Sequence, residues 1–181
     1  MSEELDVLRI VTDRLEAAGI GYMVTGAIAM NYHGVPRMTR DIDVVVELGA
    51  ADTERVASLF HDEFYLEHDV VQKALEQGKP FSMIHVPLVV KVDFIPRKDT
   101  DYRKAEFGRR KKVTVEDQSF FLCAPEDLII SKLEWAKDSR SEVHFGDVRN
   151  LLRSAERLDG AYLDRWVGRL GMVALFREVA Q

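Results

Sequence analysis

The chain has 181 residues, 46% of them hydrophobic and 31% charged, which suits one globular domain with a short appendage and enough apolar material for a core. A single cysteine, Cys123, excludes a disulfide framework or a cysteine-rich zinc site and makes a reducing, cytoplasmic setting the default. The acidic, amphipathic start does not read as a signal or transit peptide, no apolar run reaches the roughly 18 residues of a membrane span, and the net charge of −6 argues against a general nucleic-acid coat.

Residues 3–18 place Leu5, Leu8, Val11, Leu15 and Ala18 at helical spacing, and Gly19 ends the run. GYMVTG reads as a short buried strand, and AIAMNYH as a two-turn helix stopped by Gly34 and Pro36. DIDVVVEL, with three consecutive valines, is the clearest strand. Helices are expected over residues 51–62 and 69–77. FSMIHV and LVVKVDFIP then read as strands on either side of Pro87. Residues 101–108 fit a short helix or a loop, and KKVTVED and QSFFLCA read as strands.

At Ala124 the pattern changes. Pro125 with Glu126 and Asp127 behind it marks a helix start, and the chain reads as helices from there: 126–137, 145–157 and 162 onward, with a break at Asp159 and Gly160. The expected architecture is an α/β (α+β) body over residues 1–123 followed by a helical extension over 124–181.

Two stretches carry chemistry. In DIDVVV, Asp41 and Asp43 are two apart on a strand, so both side chains share one face. Carboxylates in that position repel unless a cation sits between them, and an all-oxygen donor set suits Mg2+ completed by substrate phosphates. Asp93 lies inside VVKVDFI, an otherwise apolar strand that would not hold an acid without a partner. Three such acids on two neighbouring strands would make a two-metal site for in-line phosphoryl-type displacement. Upstream, Thr25-Gly26-Ala27 joins a strand to a helix: glycine lets backbone approach a phosphate, and the helix start offers free N–H groups. Arg37 and Arg40 can neutralise phosphate charge, and Thr39 can donate a hydroxyl. A bare Asp-x-Asp also serves some glycosyltransferases, but that reading leaves Gly26 and Asp93 unexplained.

Gly26-Ala27, thirteen intervening residues, Asp41-Ile-Asp43 and the later Asp93 together resemble the DNA polymerase β-type nucleotidyltransferase superfamily. More narrowly, HGVPRMTRDID and PEDLIISKLEW are similar to the minimal and abortive-infection (AbiEii-like) nucleotidyltransferases of toxin–antitoxin systems. The core of the resemblance spans about residues 20–96, and its helical continuation extends to about Leu152. It implies a mixed sheet flanked by helices with the C-terminal extension packed on it, and that Asp41, Asp43 and Asp93 bind two Mg2+ ions, with Asp93 also helping to deprotonate the attacking hydroxyl. Thr25, Gly26, Ala27, Arg37, Thr39, Arg40 and Lys132 would hold the nucleoside triphosphate. Arg140 and Asp147 resemble the arginine and final aspartate of the family's last motif, although Asp147 also fits a cap or a partner for Arg149 or Arg140. Two departures stand out: Ala27 replaces the usual second glycine or serine, and the lysine-aspartate pair before the last aspartate is absent.

The implied activity is Mg2+-dependent transfer of a nucleoside monophosphate from a triphosphate to an acceptor hydroxyl on tRNA, protein or a small molecule. The alternative is a catalytically inactive binding module of the same fold, antitoxin-like or nucleotide-sensing. Residues 97–112 hold eight basic residues against three acidic, a local charge of +5 on an acidic body. That segment is a candidate acceptor surface for RNA or protein, or simply a solvated loop and lysine-protected edge strand. A cognate toxin or antitoxin protein is a further expected partner; a membrane is not.

Overall fold

The computed structural model describes residues 2–36, 38, 41–155 and 157–181. Ser2 accepts the Leu5 amide and starts α1 (Glu3–Ala17), whose Val7, Leu8, Val11 and Leu15 are fully buried. The spacing of those four residues puts them on one stripe, and that stripe docks on the sheet. Strand β1 (Tyr22–Thr25) then passes directly into α2 (Gly26–His33), with no loop between them. After β2 (Asp41–Val46) come a single 3-10 turn, α3 (Thr53–Phe60), β3 (Phe64–Tyr65) and α4 (His68–Gln77). The hairpin β4 (Phe81–His85) and β5 (Val90–Pro96) leads through α5 (Asp101–Gly108) to the hairpin β6 (Lys111–Val115) and β7 (Gln118–Leu122). Four helices close the chain: α6 (Pro125–Ser139), α7 (Glu142–Ser154), α8 (Gly160–Arg169) and α9 (Val173–Val179).

The strands form one mixed sheet in the order β3-β4-β5-β2-β1-β7-β6. Strands β2 and β5 pair in parallel, as do β1 and β7, and the remaining neighbours are antiparallel. The mixed sheet, flanking helices and C-terminal helical region expected from the sequence are all present. Because side chains alternate across a strand, Ile42, Val44 and Val46 of β2 and Val92 and Phe94 of β5 line one face and are completely buried. There Phe94 meets Phe60 and Phe81 edge-to-face, each with ring centroids 5.5 Å apart. The opposite face carries Asp41, Asp43 and Val45 beside Lys91, Asp93 and Ile95, and α6 lies over its Val45–Ile95 end.

Several expectations shift in detail. The strand expected from Leu88 begins at Val90, because the hairpin turn ends with Val89 at φ 51, a left-handed position few β-branched residues adopt. Residues 101–108, open between helix and loop, are helical, with Thr100 capping through the Arg103 amide. The region from residue 162 is two helices, broken at Gly171 with φ +67. The two-residue β3 gave no sequence signal of its own. Glu126 and Asp127, read as first-turn acids, are in fact buried. Arg109 bonds both, at 2.7 Å and 3.0 Å, Tyr162 Oη donates to Asp127 at 2.6 Å, and the Asp159 amide donates to Glu126 at 2.7 Å. This network ties α6 to α8 and to the residue that follows α5.

Candidate active site

The register of β2 against β5 assembles the site. Asp43 stands directly opposite Asp93, and Asp41 opposite Lys91. On the other side of β2, Asp43 pairs with Thr25, the last residue before Gly26. Gly26 has φ +60, and a Cβ there would fall 1.9 Å from Asp43 Oδ2. The strand-to-helix junction therefore needs glycine twice over: for its backbone conformation and to leave room for the carboxylate. The Asp43 carboxylate thus sits at the start of α2, where a helix favours an anion.

Burial pushes the Asp43 carboxyl above its usual range, and the nearby Asp93 charge pushes the same way; Lys132 and Lys91 oppose them. Asp93 is held at both oxygens. Ser82 Oγ donates to Oδ1 at 2.5 Å, and Lys91 Nζ stands 2.9 Å from Oδ2. The same ammonium lies 3.8 Å from Asp41 Oδ2. Its own pKa is raised, foremost by the bond to Asp93. Ser82 and Lys91 were not singled out in the sequence. Their signal was present in the alternation that puts Lys91 and Asp93 on one face, but strand pairing was needed to bring Ser82 and Asp41 alongside.

Among the described residues, no three His, Cys, Asp or Glu side chains converge at metal-holding spacing. The donor chemistry nevertheless suits a hard divalent cation: carboxylates from adjacent strands, with Asp43 and Asp93 in direct register.

Lys132 is buried on α6 and pairs with Asp147 at 2.8 Å, both side chains less than one-tenth exposed. Asp147 is thus a partner of Lys132; Arg140 pairs instead with Glu178, and Arg149 reaches Glu142 at 3.9 Å. Thr25 is buried, with its hydroxyl 3.7 Å from Cys123 Sγ, and Ala27 is buried beside it. Arg37, Thr39 and Arg40 lie outside the described residues. Beside the acids is a cavity of about 200 Å³. Val45 and Ile95 line it from the sheet, Leu128, Ser131, Lys132 and Trp135 from α6, and Thr25 and Gly26 from the junction.

The basic run over 97–112 is largely paired off. Arg97 bonds Glu47, Arg103 bonds Glu106 and Glu134, Lys104 bonds Asp99, Arg109 bonds Glu126 and Asp127, and Lys112 lies 3.6 Å from Glu16. Its +5 along the chain is therefore much reduced in space. No helix among the described residues is long and apolar enough to cross a membrane.

This architecture, a mixed sheet whose strand–glycine–helix junction faces acids on the two next strands, is a nucleotidyltransferase-type fold. Among solved structures the chain is similar to lincomycin-bound LnuA, a lincosamide antibiotic adenylyltransferase: TM-score 0.53, 15% identity, 84% of this chain and 98% of that one. It is similar to the antibiotic-resistance factor ANT(2'')-Ia, with TM-score 0.57, 12% identity and 95% of each chain covered. It is also similar to an antigenic nucleotidyltransferase-like protein from Paracoccidioides brasiliensis, with TM-score 0.54, 18% identity, and 99% and 93% of the two chains covered. No protein-family model matches the chain, and no curated protein matches it.

Proposed function

We propose that the protein is a Mg2+-dependent nucleotidyltransferase that moves a nucleoside monophosphate from a triphosphate to an acceptor hydroxyl. The observation carrying this reading is the register of Asp43 opposite Asp93, with Gly26 beneath Asp43 and the cavity beside them. Asp41, Asp43 and Asp93 would hold the divalent cations, two in number, which when bound supply charge neutralisation on the phosphates and on the attacking oxygen. Gly26 and the start of α2 receive phosphate oxygens on backbone N–H groups, joined by Thr25, Ala27, Arg37, Thr39 and Arg40. Lys132, fixed by Asp147, adds a buried positive charge. The base occupies the cavity between Val45 and Ile95 on one side and Leu128 and Trp135 on the other, where Trp135 offers a ring for stacking.

In the transfer, the acceptor oxygen bonds to the α-phosphorus as the bond to the β-phosphate oxygen breaks, and pyrophosphate leaves. The hydroxyl proton passes to Asp93. The chain contributes positioning and electrostatics, with no covalent intermediate on a side chain. A small-molecule hydroxyl is favoured as acceptor, for two reasons. The basic run over 97–112 is mostly neutralised by acids, and two similar solved structures are an antibiotic adenylyltransferase and an antibiotic-resistance factor. RNA and protein acceptors stay in the proposal, as does a toxin–antitoxin pairing, which rests on HGVPRMTRDID and PEDLIISKLEW.

A second reading, a binding module without turnover, draws support from Lys91 on Asp93 and from Ala27 in place of a hydroxyl-bearing or glycine residue. One experiment separates the two. The protein is incubated with Mg2+ and each α-labelled ribonucleoside triphosphate, alongside its Asp41→Ala/Asp43→Ala variant. Acceptors are bacterial RNA, bacterial protein, and a panel of aminoglycosides and lincosamides. Label transferred by the parent chain alone establishes the enzyme and its acceptor class; absence of label in every fraction favours the binding module.

A further inference from the structure

We infer that Lys91 is a built-in counter-cation of the carboxylate cluster that competes with the divalent cation for Asp93 and swings aside as metal binds. The inference rests on the reading of these acids as a metal site and concerns a residue that reading did not use.

Cross-strand pairing places Lys91 opposite Asp41 and two residues before Asp93 on the same face. Its ammonium lies 2.9 Å from Asp93 Oδ2 and 3.8 Å from Asp41 Oδ2, while Ser82 holds Asp93 Oδ1. Both oxygens of Asp93 are therefore engaged. A Mg2+ ion ligated by Oδ2 would sit at about 2.0–2.1 Å from it, where it and the ammonium on the same oxygen would repel each other and compete for its charge.

The two lysines of the site differ in mobility. Lys132 is 5% exposed and locked to Asp147, whereas the Lys91 side chain is 42% exposed on a flexible four-carbon stem. An exposed ion pair is weak enough to be displaced, so Lys91 can swing into solvent when a doubly charged ion arrives. Until then it offsets the repulsion among Asp41, Asp43 and Asp93 and keeps the metal-free site ordered.

The test is Mn2+ binding to the full chain, measured by the electron paramagnetic resonance of free Mn2+, with no nucleotide present. Lys91→Met is expected to bind Mn2+ about tenfold more tightly than the parent, the effect of removing one competing charge. Lys91→Arg, which keeps the charge, is expected to stay near the parent. Asp43→Asn is expected to abolish binding. Equal or weaker binding by Lys91→Met, with Asp43 still required, overturns the role of Lys91 and leaves the metal site standing. No Asp43-dependent binding in either protein overturns both. A second measurement needs no variant: amine acylation of Lys91, read by mass spectrometry, should rise when saturating Mg2+ is added. Unchanged or reduced acylation overturns the inference.

Discussion

Asp43 rests against Gly26, so that a methyl group on residue 26 would lie 1.9 Å from a carboxylate oxygen. The contact joins the two halves of the candidate site, the phosphate-facing junction of β1 with α2 and the acid-bearing strand β2. It also makes the site sensitive to one carbon atom. Gly19 supplies an internal control, since it too has positive φ, +64, but has nothing within 4 Å of an added Cβ.

Gly26→Ala should therefore destabilise the chain by about 2–4 kcal/mol, combining left-handed strain with displacement of Asp43. Gly19→Ala should cost only about 1 kcal/mol, from strain alone. Urea denaturation of both variants checks the difference. Equal losses would show that the Asp43 contact is not what fixes glycine at position 26.

Asp43→Asn should stabilise the metal-free protein. The folded carboxyl is pushed up, first by burial and then by Asp93, so at neutral pH its charged form is disfavoured in the fold. Removing that charge should raise stability by about 1 kcal/mol, as is common where a site sacrifices stability for chemistry. The comparison is made by thermal unfolding without divalent ions. A lower melting temperature would mean the carboxylate is better satisfied than its surroundings indicate.

The buried pair of Lys132 and Asp147 predicts an asymmetry. Asp147→Ala leaves an ammonium without its 2.8 Å partner in a site less than one-tenth exposed, at a cost of about 3–5 kcal/mol. Replacing both residues, Lys132→Met with Asp147→Leu, should restore much of that loss while removing the positive charge that acts on Asp43. A double-mutant cycle in urea measures the coupling, and additive losses would count against it.

His85 is expected to set part of the acid limb of stability. It is 2% exposed, neither ring nitrogen has a hydrogen-bond partner among the described residues, and burial lowers its pKa. Because the folded value lies below the ordinary 6.5, the neutral ring's contribution is complete above pH 6.5. It is lost as pH falls from there through the folded value. His85→Leu should flatten the fall in urea midpoint between about pH 7 and pH 5. The slope should not vanish, because His33, also lowered by burial, still titrates. An unchanged slope would place the acid sensitivity elsewhere.

The local pattern of the chain was enough for the parts of the site that follow from strand alternation and backbone freedom. Asp41 and Asp43 share a face because residues two apart on any strand do. Gly26 marks a strand-to-helix junction because that turn needs positive φ. The third acid was visible as a charge inside an apolar run, and the α/β body with its helical continuation followed from the periodicities. None of these readings depends on which strand lies next to which.

Tertiary structure alone decided which charges meet. Register between β2 and β5, strands far apart in the chain, set Asp43 against Asp93 and brought Lys91 beside Asp41. The fold of α6 against α7 gave Lys132 to Asp147, leaving Arg140 to Glu178. The basic run, conspicuous along the chain, is matched by Glu47, Glu126, Asp127 and Glu134, acids distant in sequence. The physical reason is one of range: backbone conformation and side-chain direction are fixed by near neighbours, whereas electrostatic partners are chosen by distances in space that folding sets.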